Sequence, residues 1–129
     1  MLYLADDQVT ALYEAQAFGF PASSIAIIPV QFDLRAVVDL RDAAVHQLLQ
    51  TDPIELSINF RSLPVGAPPA ATQMLGERVA ASLRIDGLLY QSPARAGHFD
   101  LAVIEAALKP LGSSLVVNDP NNNLSDGLP

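Results

Sequence analysis

Short apolar runs, polar turns between them and stretches of helical spacing give the first expectations for this chain. Leu2-Tyr3-Leu4-Ala5 is an apolar run that reads as a strand. Asp6 or Asp7 follows with a side chain able to accept the free N–H groups of a first helical turn. A helix is therefore expected from there to about Phe18, with Gly19 ending it. Residues 25–32 read as a strand at a sheet edge or with a bulge, because Pro29 inside it has no N–H to give to a central ladder. A further strand is expected over 36–40. A helix is expected over 41–50, where Val45, Leu48 and Leu49 recur at helical spacing and Asp42 is placed to cap them. Residues 51–69, with Pro53, Pro64, Pro68, Pro69 and Gly66, read as a long surface loop of the kind that often serves as a lid. The clearest helix is 70–83, whose Met74, Leu75, Val79 and Leu83 form a stripe expected to be buried. Strands are expected over 85–90, 101–107 and 114–117, and a polar, disordered tail over 118–129. Strands and helices mix without regular alternation, so the pattern predicts an α+β fold, a single domain with a mixed sheet and packed helices.

Composition narrows the function classes. With 129 residues, half of them hydrophobic, the chain has the size and apolar content for one core. Its longest apolar stretches are too short to cross a bilayer, and the N-terminus lacks the pattern of an export signal, so a cytoplasmic protein is expected. Cysteine is absent, which removes disulfides, thiolate nucleophiles and Cys-ligated metals and leaves oxygen and nitrogen chemistry. The net charge of -7 rests on only seven basic residues scattered along the chain. Binding a nucleic acid directly needs clustered Lys and Arg, so that class is set aside. A basic protein partner fits the charge better, although acidity also serves plain solubility.

Two segments place a chemically capable side chain just beyond an apolar run. In the first, Glu14 has Thr10, Ala11, Ala17 and Phe18 three and four positions away, so no Lys or Arg on its own helix pairs with it. It reads as a carboxylate in a cleft or as an ordinary solvated helix residue. Ser92 follows the strand over 85–90 and precedes Pro93, where a hydroxyl either faces a cleft or closes a turn on its own backbone. A serine nucleophile would need His46 or His98 as base, and no Gly-x-Ser-x-Gly elbow is present; Ser92 is better cast as a hydrogen-bonding group. Tyr3 can stack on a planar ring or pack in the core, and Arg95 can meet a phosphate or sit solvated in its loop. His98 alone gives no metal-ligand spacing, and neither a phosphate loop nor a dinucleotide glycine fingerprint occurs.

The Tyr3-Leu4-Ala5-Asp6 opening with Thr10-Ala11-Leu12-Tyr13-Glu14, Val38-Asp39-Leu40, Thr72-Gln73 with Leu75-Gly76, and Asp86-Gly87-Leu88-Leu89-Tyr90 leading to Ser92 resemble, in this order, the RES domain family. The family takes its name from an Arg, a Glu and a Ser, and Glu14 and Ser92 match the last two. The resemblance implies a fold similar to ADP-ribosyltransferase toxins and the toxin half of a bacterial toxin–antitoxin pair. Such toxins consume NAD+ as a substrate by breaking its nicotinamide–ribose bond. It implies that Tyr3 contacts the nicotinamide end, Glu14 acts at the ribose and Ser92 helps hold NAD+, with Arg95 a further substrate contact and no metal required. The implied partner is a small Xre-type helix-turn-helix antitoxin, with self-association as a homodimer left open. The family's Arg normally precedes the Tyr-Leu-Ala segment and has no match here, so the expectation is a RES-like domain over 1–117 that is short at its N-terminal side. Where the family often has an Asn, this chain reads His98-Phe99-Asp100-Leu101. Degradation of NAD+ by phosphate or water ranks first. Protein ADP-ribosylation, or an inactive domain that only binds its antitoxin, are the alternatives.

Overall fold

The computed structural model describes residues 1–49 and 71–121. In chain order these form β1 (Leu2–Ala5), α1 (Gln8–Ala17), a 3-10 turn (Ala22–Ser24), β2 (Val30–Asp33), β3 (Val37–Asp39), α2 (Ala43–Leu49), α3 (Ala71–Ser82), β4 (Gly87–Gln91), β5 (Phe99–Val103), α4 (Glu105–Leu111) and β6 (Ser114–Val117). The loop expected over 51–69 lies outside the described residues, as does most of the expected tail. None of the helices described is long and apolar enough to cross a membrane.

Four strands form a mixed sheet in the order β1-β5-β4-β3, and β2 and β6 pair in a separate ribbon. The β1·β5, β4·β5 and β2·β6 pairs are antiparallel; β3·β4 is parallel. A parallel pair cannot be closed by a hairpin and needs a crossover, which here includes α2 and α3. The fold is α+β with a mixed sheet, as the alternation of apolar runs and helical stretches predicts.

The sheet buries apolar side chains on both faces because β4 and β5 are its central strands. Leu101 and Val103 point to one face, where they pack with Leu108, Leu115 and the β1 residues Leu2 and Leu4. Leu88, Ala102 and Ile104 point to the other and meet Leu40, Val79 and Ala107. Each such large side chain contributes roughly 1.5–3 kcal/mol on burial. Gly87 opens β4 where no larger residue fits easily: a Cβ there would come within 2.9 Å of Leu34 Cδ1 and 3.1 Å of Val37 Cγ2. Next to it, the buried Asp86 carboxylate accepts the backbone N–H groups of Arg35 (2.8 Å) and Ala36 (3.0 Å) and the hydroxyl of Ser113. One side chain thus ties the β2–β3 turn, the start of β4 and the approach to β6 together.

Three expected elements differ. The strand expected over 25–32 starts only at Val30, after Pro29, whose carbonyl nevertheless accepts the Asn118 N–H at 3.0 Å. The strand expected over 101–107 ends at Val103, and Glu105 begins α4. Residues 105–108, Glu-Ala-Ala-Leu, are strong helix formers, and the continuous apolar run hid the change of period. On α3, Val79 is buried and Leu75 half-buried, but Met74 and Leu83 are each 43% exposed. Leu83 lies past the last turn with φ at 53°, so it leaves the stripe that the 3.6-residue period assigns to it.

Candidate active site

The site is built where the start of α1 meets the loop joining β4 to β5. Asp7 caps α1, its Oδ1 accepting the Thr10 N–H at 2.7 Å, and Gly19, with φ at 90°, follows the helix end where an L side chain would be strained. This fixes the helix phase: Thr10 is fully buried, and Glu14, one turn later on the same face, is half-buried against the sheet. Its carboxylate meets Ser92 at the end of β4, whose hydroxyl donates to Glu14 Oε1 at 2.5 Å. The same Ser92 oxygen accepts the N–H groups of Ala94 (3.2 Å) and Arg95 (3.3 Å), and the Ser92 N–H donates to the His98 carbonyl at 2.9 Å. Ser92 thus closes its own turn and also presents its proton to a carboxylate from another element.

Arg95 is drawn to the cap of α1. Its Nη1 donates to both Asp7 oxygens at 3.0 Å and to Thr10 Oγ1 at 3.1 Å, and the guanidinium lies 5.8 Å from the Tyr13 ring centroid. Backbone and hydroxyl hydrogen bonds from Thr10, together with the Arg95 charge, hold the Asp7 carboxyl down to about 2. His98 Nδ1 lies 2.9 Å from Asp6 Oδ2. Burial opposes ionisation of Asp6, but hydrogen bonds from His98 and Thr10 outweigh it and lower its pKa. Asp6, Asp7 and His98 bring ligand-type atoms within 4.8 Å of one another, but Arg95 already supplies the positive charge there, and the cluster reads as an ion-pair network.

Beneath Glu14 and Ser92 lies Asp100, on β5 and only 4% exposed, opposite Ala5 on β1 and Tyr90 on β4. Burial, a hydrogen bond and negative charge from Glu14, and the charge of Asp6 push its carboxyl up to about 8, with Ser92 pulling the other way. Tyr3 pairs with Ala102, two residues along β5, and so shares this face of the sheet; it is 57% exposed, leaving its ring open to a ligand. The structure thus joins Glu14 and Ser92 directly. It places Tyr3 on the same face and ties Arg95 one helical turn away with its charge engaged by Asp7. His46 instead lies buried against the Leu40 carbonyl, so neither histidine takes the Ser92 proton. Sequence reasoning passed over Asp100 as a site residue; its signal was a lone acid in an otherwise apolar strand, Phe99-Asp100-Leu101-Ala102-Val103.

The model of the RES domain matches residues 1–124. The chain belongs to the RES domain family. Searches of the curated proteins and of the solved structures found no match. In this RES domain Glu14 and Ser92 are hydrogen-bonded partners although they stand 78 positions apart. A carboxylate that accepts a serine hydroxyl can orient ribose hydroxyls and stabilise positive charge developing on a sugar.

Proposed function

We propose that this RES-domain protein degrades NAD+ as the toxin of a toxin–antitoxin pair. Support comes from membership of the family together with the contact between Glu14 and Ser92, and that contact is the observation that carries the reading. In the proposed reaction the bond between ribose C1′ and the nicotinamide nitrogen breaks, and its electron pair leaves with nicotinamide. C1′ takes on oxocarbenium character, which a nearby carboxylate stabilises without a metal or thiol. Glu14 has that role, Ser92 fixes the carboxylate, and the exposed Tyr3 ring stacks on the nicotinamide. Phosphate or water then bonds to C1′, giving a phosphorylated or free ADP-ribose. Arg95 contacts the substrate diphosphate only when Asp7 yields its place. The proposed partner is an Xre-type helix-turn-helix protein that covers the cleft; a net charge of -7 suits a partner with a basic surface.

The test is NAD+ consumption by the purified protein, with and without phosphate, beside its Glu14→Gln variant. The expected outcome is loss of NAD+ that falls about 100- to 1,000-fold in the variant. Dependence on phosphate identifies the acceptor, and transfer of ADP-ribose to an added protein supports the transferase alternative. Folded protein that consumes no NAD+ under either condition removes the enzymatic reading and leaves partner binding.

A further inference from the structure

Asp100 has no assigned part in the reaction above, yet it lies directly beneath the residues that do. Its carboxyl is buried in the middle of the sheet, and Oδ1 is the buried side-chain atom among the described residues that lacks a hydrogen-bond partner. Ser92 cannot supply a full set of donors, because its proton goes to Glu14 and its oxygen already accepts two backbone N–H groups. The groups that face Asp100 are acidic or neutral: Glu14 from α1, Asp6 from the β1–α1 turn, Tyr90 from β4 and Ser92 just beyond it. His98, two residues before it, is turned to Asp6, and Arg95, the loop's only Arg or Lys, is bound to Asp7. Two ionised carboxylates side by side in such a place repel each other and are poorly solvated, so one of them keeps a proton.

We propose that Asp100 is a positioning residue of this site: its carboxyl and that of Glu14 hold one proton between them, which keeps Glu14 directed at Ser92 and limits the pair to a single negative charge. The inference rests on the reading that Glu14 acts at the ribose. While the proton is present, the pair resembles an acid hydrogen-bonded to its conjugate base. When it is lost, a second negative charge appears beside the first, Glu14 is pushed from its place, and an incoming phosphate or diphosphate is repelled. The midpoint of that loss from Asp100 lies at about 8. An asparagine at position 100 offers an N–H to Glu14 at every pH and cannot ionise, whereas alanine offers nothing.

Two measurements on the full chain decide the matter separately. In carbon-13 carboxyl spectra followed against pH, one resonance is expected to titrate near pH 8 in the wild-type protein. That resonance is expected to be missing from Asp100→Asn. Finding every carboxyl titrating below about pH 6 overturns the proposal. In NAD+ consumption, the wild-type rate is expected to fall as the pH rises through that midpoint. Asp100→Ala is expected to lose about tenfold at neutral pH, and Asp100→Asn to recover part of this without the alkaline fall. An alkaline fall that persists in Asp100→Asn overturns the positioning role. If the folded protein consumes no NAD+ at any pH, the proposed function fails, and the carboxyl titration alone decides whether the shared proton exists.

Discussion

A carboxyl group shut away from water must either collect donors or keep its proton, and two aspartates of this protein take the two courses. Burial would raise the pKa of Asp86, but the Ser113 hydroxyl and the Arg35 and Ala36 N–H groups outweigh it, so Asp86 stays ionised to lower pH than a free aspartate. Its contribution to stability is present above the ordinary carboxylate range and is lost on acidification. At Asp100 the pull of Ser92 is outweighed by burial and by Glu14 and Asp6, and the shift runs in the opposite direction. Between its ordinary value of 3.8 and about 8 the unfolded chain has released the proton that the folded chain keeps. Folding therefore takes up a proton in that window, and the wild-type protein loses stability as the pH rises across it. Asp100→Asn has no proton to lose, so its melting temperature relative to wild type is expected to climb from pH 4 towards pH 8 and then level off. Thermal melts at a series of pH values check this, and a constant difference would remove the protonated Asp100 from the account.

At the scale of elements, the close approach at Gly87 sets how β4 is entered. Gly87→Ala would press a methyl group onto Leu34 and Val37, and because these contacts are with mobile side-chain ends the expected cost is about 1–2 kcal/mol in denaturant unfolding. Leu34→Ala in the same chain should recover part of it. The same elements show what could be read in advance. The opening strand and α1 were legible because Asp7 and Gly19 mark a start and a stop locally. β6 was legible from its own short apolar run. The β5–α4 junction was not, since an apolar run buried throughout carries neither a twofold nor a 3.6-fold alternation. Within the site, Glu14 and Ser92 stood out through motif resemblance and the lack of a cation near Glu14 on its helix. Their contact, the Asp6–His98 pair and the involvement of Asp100 depend on strand register, which spacing along the chain does not encode.

Across the whole molecule, β4 and β5 serve two apolar clusters, one on each face, so the two clusters share their central strands. Leu88→Ala and Leu101→Ala, on opposite faces, are each expected to cost about 2–5 kcal/mol while leaving one unfolding transition. Near- and far-ultraviolet circular dichroism melts that separate in either variant would show two independent units. The site inherits this indivisibility, since its defining hydrogen bonds join positions 78, 88 and 92 residues apart. β5 is the neighbour of both β1 and β4, so Glu14 has nothing to lean on until the last strand of the sheet has been synthesised. A growing chain on the ribosome, made from its N-terminus onward, therefore carries no half-built site. Whatever the site does therefore begins only after β5 has been made and has paired with β1 and β4.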